Sequence, residues 1–288
     1  MIHNITLSCL GVAVALFSAI SPALIGNSID LYLSGDDSYI TMIGMACLLI
    51  LTTPPLRLLA NIYLQKISSK TRMNVKESVL KSLFTYNFSS KRKCGEIIDL
   101  VDGDVESALY LYHAVFLDIA INATLIILAL SIIAYYYPVM IIAPLAGMLL
   151  SVTIYIFTKE KCDNLYMNYV NENTMTIGKI CDLLMLEKVD RSYPLDEEVK
   201  RINKLSLSTS FKASMLEALS GSSYFVGIIT MLLVGFYAVD NSLMNVGAIF
   251  ASAMYIERVL GPTTALTSIY FSSREAFYRR SRIRNQIT

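Results

Sequence analysis

Long stretches of the chain carry no Asp, Glu, Lys or Arg, and the stretches between and after them hold all of these residues. The charge-free runs are 1–29, 38–56, 119–158, 218–239, 241–256 and 259–273. A soluble core does not need the 40 successive uncharged residues of 119–158. A bilayer does need such runs, because a spanning helix takes about 20 apolar residues. The run 119–158 is too long for one helix, and Tyr135-Tyr136-Tyr137-Pro138 near its middle predicts a tight hairpin with an interfacial tyrosine cluster. The pattern predicts an all-α polytopic membrane protein with six transmembrane helices. The spans fall at about 5–29, 39–64, 118–137, 139–158, 216–239 and 243–271 of one transmembrane domain, 1–288. The extensions between and after them are 65–117, 159–215 and 272–288.

Charge then orients the spans. Of the 24 Lys and Arg residues, 22 fall in those three extensions. The short connections at 30–38, 135–139 and 240–243 hold none, although Asp30, Asp36, Asp37 and Asp240 lie in them. Basic residues gather on the cytoplasmic side. The expectation is a multi-pass protein of the inner (plasma) membrane with both termini in the cytoplasm. The first span is read as retained rather than as a signal peptide. Its start lacks Lys and Arg, and its apolar run exceeds the 7–15 residues of a signal core. The net charge of +1 gives no basic excess for nucleic acid.

The two inner loops are long but poor in Gly and Pro, with apolar residues at helical spacing (Leu83, Ile97, Ile98, Val101, Val105, Leu109). They are expected to be cytoplasmic helical hairpins, each arm projecting on the order of 40 Å at 1.5 Å per residue. Long arms on one side suit a protein that passes movement between a cytosolic partner and the membrane.

Several segments carry a resemblance to a known family. They are Pro22-Ala-Leu-Ile-Gly26-Asn-Ser-Ile-Asp30, Gly95-Glu96-Ile97-Ile98 followed by Asp104-Val105, Glu172 and Ile177 with Glu187, and Gly247 to Tyr255 followed by Leu260-Gly-Pro262. In order and spacing the chain resembles the transmembrane domain of six-helix ABC exporters over nearly its whole length. That family usually continues into an ATP-binding domain. No GxxxxGK[ST] phosphate loop occurs here, so the chain offers no glycine-rich cradle for ATP.

The resemblance implies a pore subunit without chemistry of its own. ATP and Mg are expected on a separate ATP-binding subunit, and no cofactor on this chain. A second copy or a homologous membrane subunit is expected to complete the transporter, inside the lipid bilayer. The family's coupling helices imply docking of the ATPase at two loop tips. In this sequence they are Lys91, Arg92, Lys93, Cys94 and Glu96, and Asp182, Leu183, Leu184, Met185, Leu186 and Glu187. The apolar run 183–186 itself asks for a covering surface.

Arg57, Glu257 and Arg258 are ionisable residues within or near spans, where the default reading is functional. With Ser252, Thr263 and Thr264 they are candidates for a translocation pathway, and Arg57 is a candidate partner for Glu257. Structural ion pairing or snorkelling is the alternative for the charged three, and bonding between helices is the alternative for the hydroxyl residues. Glu257 and Arg258 point about 100° apart, so they are not expected both to face one narrow pore. Pro262 lacks an N–H and is expected to loosen the sixth helix. The acids Asp99, Asp102, Asp104 and Glu106 read as a solvated helix face, or as helix N-terminal acids after Gly95 and Gly103, because the calcium-loop spacing does not continue past Asp104. The five cysteines form no CxxC pair, and His3 and His113 stand near no nucleophile motif, so metal and nucleophilic chemistry are not expected. Two other functions stay open: an ion-coupled secondary transporter using Glu257 or Asp118, and a non-transporting membrane sensor or regulator.

Overall fold

A computed structural model describes residues 2–85, 99–185, 195–241 and 243–287. Among them there is no strand. The elements are α1 (Ile2–Ser34), α2 (Tyr39–Thr85), a π-helical turn (Asp99–Asp104), α3 (Val105–Leu109) and α4 (Ala114–Tyr136). A short 3₁₀ turn (Pro138–Ile141) leads into α5 (Ile142–Met185), and α6 (Leu195–Asp240) and α7 (Val246–Ile287) complete the order. The fold is all-α.

Among the described residues five stretches are long and apolar enough to cross a membrane: His3–Ser34, Tyr39–Lys81, Ala114–Tyr136, Pro138–Glu160 and Gly221–Asp240. The sixth expected span, in α7, is not among them. Glu257 and Arg258 sit inside its apolar stretch and are followed closely by Gly261 and Pro262.

The helices also outrun the expected spans. α2, α5, α6 and α7 have 47, 44, 46 and 42 residues. At about 1.5 Å per residue each exceeds 60 Å, roughly twice a hydrocarbon core. Contacts divide the chain into two compact units, and these four helices contribute to both. The first is Met1–Gln65, His113–Ile156 and Glu217–Tyr270. The second is Lys66–Tyr112, Phe157–Leu216 and Phe271–Thr288.

The first unit has a core of small and branched side chains. Ala129, Ile133 and Tyr137 of the α4 end pack with Met140, Ala143, Met231, Ala251, Tyr255, Ile256, Val259 and Leu260. A smaller cluster joins Leu7, Ala60 and Leu117, and another joins Ala15, Ala19 and Leu125. Small residues let helix backbones approach closely where lipid supplies no hydrophobic drive. α2 stands apart. Only 6% of its most apolar window is buried, against 50% for α1.

The tyrosine cluster divides. Tyr135 and Tyr136 are exposed, while Tyr137 turns into the core. The hairpin forms there because Tyr137 leaves helical geometry (φ −138°, ψ 59°) and Pro138 starts the next turn.

α1 ends five residues beyond its expected boundary, at a glycine stop. Gly35 has φ +77°, its N–H donates to Tyr32 O (3.1 Å), and the Asp36 N–H donates to Leu31 O (3.0 Å). This is a Schellman motif, which favours glycine in the left-handed position. The Ser38 amide then donates to Asp36 Oδ1 at 2.9 Å and holds that carboxyl below the usual carboxylate range. Gly35→Ala is expected to lower stability by about 1 kcal/mol, the cost of a Cβ in that conformation. Thermal unfolding of the purified chain in mild detergent checks this, and an unchanged midpoint would rule out the left-handed stop.

In the second unit Val79, Val105 and Leu109 form the core, with Val75, Val101, Tyr112 and Ile283 packed on it. The segment 99–113, expected as the return arm of the first hairpin, is not one straight helix. It passes through the π turn, α3 and a tight turn at 110–112, then breaks at His113 (φ −140°, ψ −45°) before α4. Gly103 weakens helix propensity inside the π turn.

Candidate functional site

α7 carries two unlike faces within the first unit. Ser252, Tyr255, Ile256, Val259 and Thr263 are buried. Glu257, Gly261 and Ser268 are exposed and Thr264 is half-buried, and this second set has the helical 4-3-4 spacing. Nothing lies within 4 Å of the position a Cβ would take at Gly261, so this face is open. It is a polar stripe on a helix whose neighbours are apolar.

The pathway candidates therefore separate. Glu257 and Thr264 lie on the open face, with Arg258 half-buried beside it. Arg57 is exposed on α2. Ser252 (2% exposed) and Thr263 (6%) belong to the packed face. The reason is periodicity: positions 252 and 263 fall with 255, 256 and 259 on the helix. Thr263 Oγ1 donates back to Val259 O (2.7 Å), and Thr264 Oγ1 to Gly261 O (2.7 Å). Such bonds satisfy hydroxyls inside an apolar helix and loosen it locally. Among the described residues Arg57, a candidate partner for Glu257, forms no ion pair with it.

A seam between α1 and α7 closes the opposite side. Gly26 and Gly247 cross so closely that a Cβ on Gly247 would meet Gly26 O at 2.2 Å. The Gly247 amide, in the first turn of α7, donates to Asp30 Oδ1 at 2.8 Å. A carboxylate at a helix N-terminus satisfies a free N–H and faces the positive end of the helix dipole. Further along, the Tyr255 hydroxyl donates to Ala19 O at 2.8 Å.

The second unit holds a denser set of charges. Arg279 Nη1 donates to Asp104 Oδ1 at 3.0 Å, and Arg279 Nε donates to Glu275 Oε1 at 3.1 Å. Asp104 is fully buried and the Arg279 side chain nearly so (15% exposed). The Arg280 guanidinium lies over the Tyr112 ring, 5.5 Å from its centroid. Arg72 and Glu106 form an exposed ion pair nearby in sequence. The reading of the acids as a solvated face is thus corrected for Asp104. The π turn carries that carboxylate inward to Arg279, while Glu106 stays at the surface.

Lys91, Arg92, Lys93, Cys94, Glu96, Leu186 and Glu187, expected at the two loop tips, lie outside the described residues. For Asp182, Leu183, Leu184 and Met185 the backbone is described as the end of α5. The two histidines come to one end of the first unit. His3 Nδ1 is 2.9 Å from the Tyr63 hydroxyl, and His113 Nδ1 is 2.7 Å from Asn4 Oδ1. Among the described residues no group of three His, Cys, Asp or Glu side chains is placed to hold a metal ion.

Sequence reasoning missed three contacts: Asp30 with Gly247, Tyr255 with Ala19, and Asp104 with Arg279. Their partners lie 217, 236 and 175 residues apart. A partial signal existed for the first, since Asp30 and Gly247 each stand at a predicted helix end. No family model matches the chain. No curated protein matches it either.

Proposed function

We propose that the chain is the membrane-spanning pore subunit of an ATP-driven exporter. It crosses the inner membrane six times, with both termini in the cytoplasm. It binds a separate ATP-binding subunit and pairs with a second copy or a homologous membrane subunit. Nucleotide binding on the partner switches the access of an export pathway, and this chain supplies pathway and coupling without chemistry of its own. Peptides, lipids and small molecules all remain within that substrate range.

The observation that carries this reading is the open polar stripe of α7. Glu257, Gly261, Thr264 and Ser268 face outward from a unit built of apolar helices. An uncompensated carboxylate against lipid costs several kcal/mol, so such a face belongs to a water-filled cavity or a protein interface. The asymmetry of Lys and Arg supports the orientation, and the family resemblance supports the choice of ATP as the driving force.

Two tests decide. The first is cysteine labelling in membranes, in a background whose five native cysteines are serine. Thr264→Cys is expected to react with a membrane-impermeant maleimide, and Leu233→Cys, 68% exposed on α6, is expected to stay unreacted. Equal reactivity at the two positions would remove the distinction between an aqueous face and a lipid face. The second is purification of the tagged chain from its native cell in mild detergent, with mass spectrometry of what accompanies it. A stoichiometric polypeptide with a phosphate-binding loop supports the exporter. Recovery of the chain alone after gentle cross-linking overturns it and turns attention to ion-driven transport through Glu257.

A further inference from the structure

We propose that the Asp104–Arg279 ion pair is the joint that ties movement of the first cytoplasmic hairpin to α7. The inference rests on the transporter reading above. Three contacts hold the last turns of α7 to the return arm of that hairpin: Arg279 to Asp104, Ile283 to the cluster of Val79, Val105 and Leu109, and Arg280 to the Tyr112 ring. Asp104 ends the π turn and follows closely in sequence the tip residues Lys91 to Glu96, where the family resemblance implies that the ATPase docks. α7 then runs as one helix from Val246 to Ile287, and the same helix bears Glu257, Gly261 and Thr264.

The chemistry of the contact points to transmission rather than adhesion. Apolar side chains of similar volume would stabilise such a buried position as well or better, so an ion pair here is poorly explained by stability alone. An apolar contact tolerates sliding. A directional contact does not, because Asp104 and Glu275 grip the guanidinium at two different nitrogens, Nη1 and Nε. A shift of the π turn must carry Arg279, and α7 with it, or break a buried charge pair. Arg279 is on this view a positioning residue for the pathway helix.

The test uses the whole chain in native membranes with its accompanying ATPase. Thr264→Cys serves as the reporter, in the background without the five native cysteines. The rate of labelling by an impermeant maleimide is measured with and without a non-hydrolysable ATP analogue. The parent chain is expected to show a change of about fivefold or more, the lower end of common coupling strengths. The variant Asp104→Leu with Arg279→Met is expected to match the parent in thermal stability and to lose the nucleotide response. A response equal to the parent's in that apolar variant overturns the joint. Should it fail to fold, Arg279→Lys and Arg279→Gln decide: unless the lysine keeps a response that the glutamine loses, the inference falls. No nucleotide response in the parent chain itself sinks the ATP-driven reading, and the joint with it.

Discussion

Asp104→Ala is expected to destabilise the second unit by about 3–5 kcal/mol, the usual cost of leaving one member of a buried ion pair without its counter-charge. The Arg279 side chain is only 15% exposed, and Glu275, which it also binds, lies one turn back on the same helix. Alanine removes the carboxylate that Arg279 Nη1 binds at 3.0 Å. The midpoint of thermal unfolding in detergent is expected to fall on the order of 10 °C. Glu106→Ala makes the comparison. It removes an acid two positions away whose ion pair with Arg72 is half exposed (47% and 48%). Exposed pairs contribute about 0–1 kcal/mol, so this change is expected to be nearly silent. Equal effects of the two substitutions would mean that Asp104 is not enclosed as described.

The second large effect belongs to the crossing of α1 and α7. Gly247→Ala is expected to cost about 2–4 kcal/mol. The new methyl meets the Gly26 carbonyl and the Asp30 carboxylate, which lies 2.6 Å from the Cβ position. Overpacking alone costs about 1–3 kcal/mol. Spreading the helices also strains the bond from the Gly247 amide to a charged acceptor, a class worth about 1.5–3 kcal/mol. Gly44→Ala is the control with the opposite sign. Nothing lies within 4 Å of its Cβ position on α2, so alanine there is expected to raise stability by about 0.5–1 kcal/mol. Thermal unfolding of both variants checks the pair, and two changes of the same sign would exclude the close crossing.

The contrast between these two glycines also shows what the chain discloses in advance. Helical class and apolar stretches were legible because charge and apolar period act locally. The Tyr137-Pro138 corner was legible because proline forces a decision on the backbone. Helix ends were less so: α1 was expected to stop near Asp30 but continues to Ser34, since Gly35 stops it and not the charge. Hydropathy reports where a helix meets an apolar medium and says little about where it ends; the continuation of the 47-residue α2 beyond its apolar half was legible instead from helical spacing and the scarcity of Gly and Pro.

The candidate site was legible in part. Glu257 and Thr264 stood out as polar residues among apolar ones, and both lie on the open face. Ser252 and Thr263 stood out equally, with bonding between helices as their other reading, and they turn inward; composition alone does not tell one side of a helix from the other. Arg258 is rotated from Glu257 by about 100° and leaves the stripe. Asp104 was hidden among neighbouring acids. Its burial depends on a residue 175 positions away, and no local pattern carries that information.

The π turn at Asp99–Asp104 bears on how this stretch tolerates insertions and deletions. Such a turn holds one residue more than α-helical winding of the same segment would. Removing one residue from it is expected to tighten the segment into an α-helix and swing α3 by about 100°. Val105 and Leu109 would then leave the cluster with Val79, and the carboxylate of Asp104 would point away from Arg279. A chain one residue shorter here would need compensating changes in two distant helices at once. The length of this small segment is thus a constraint in its own right, separate from the identity of its side chains.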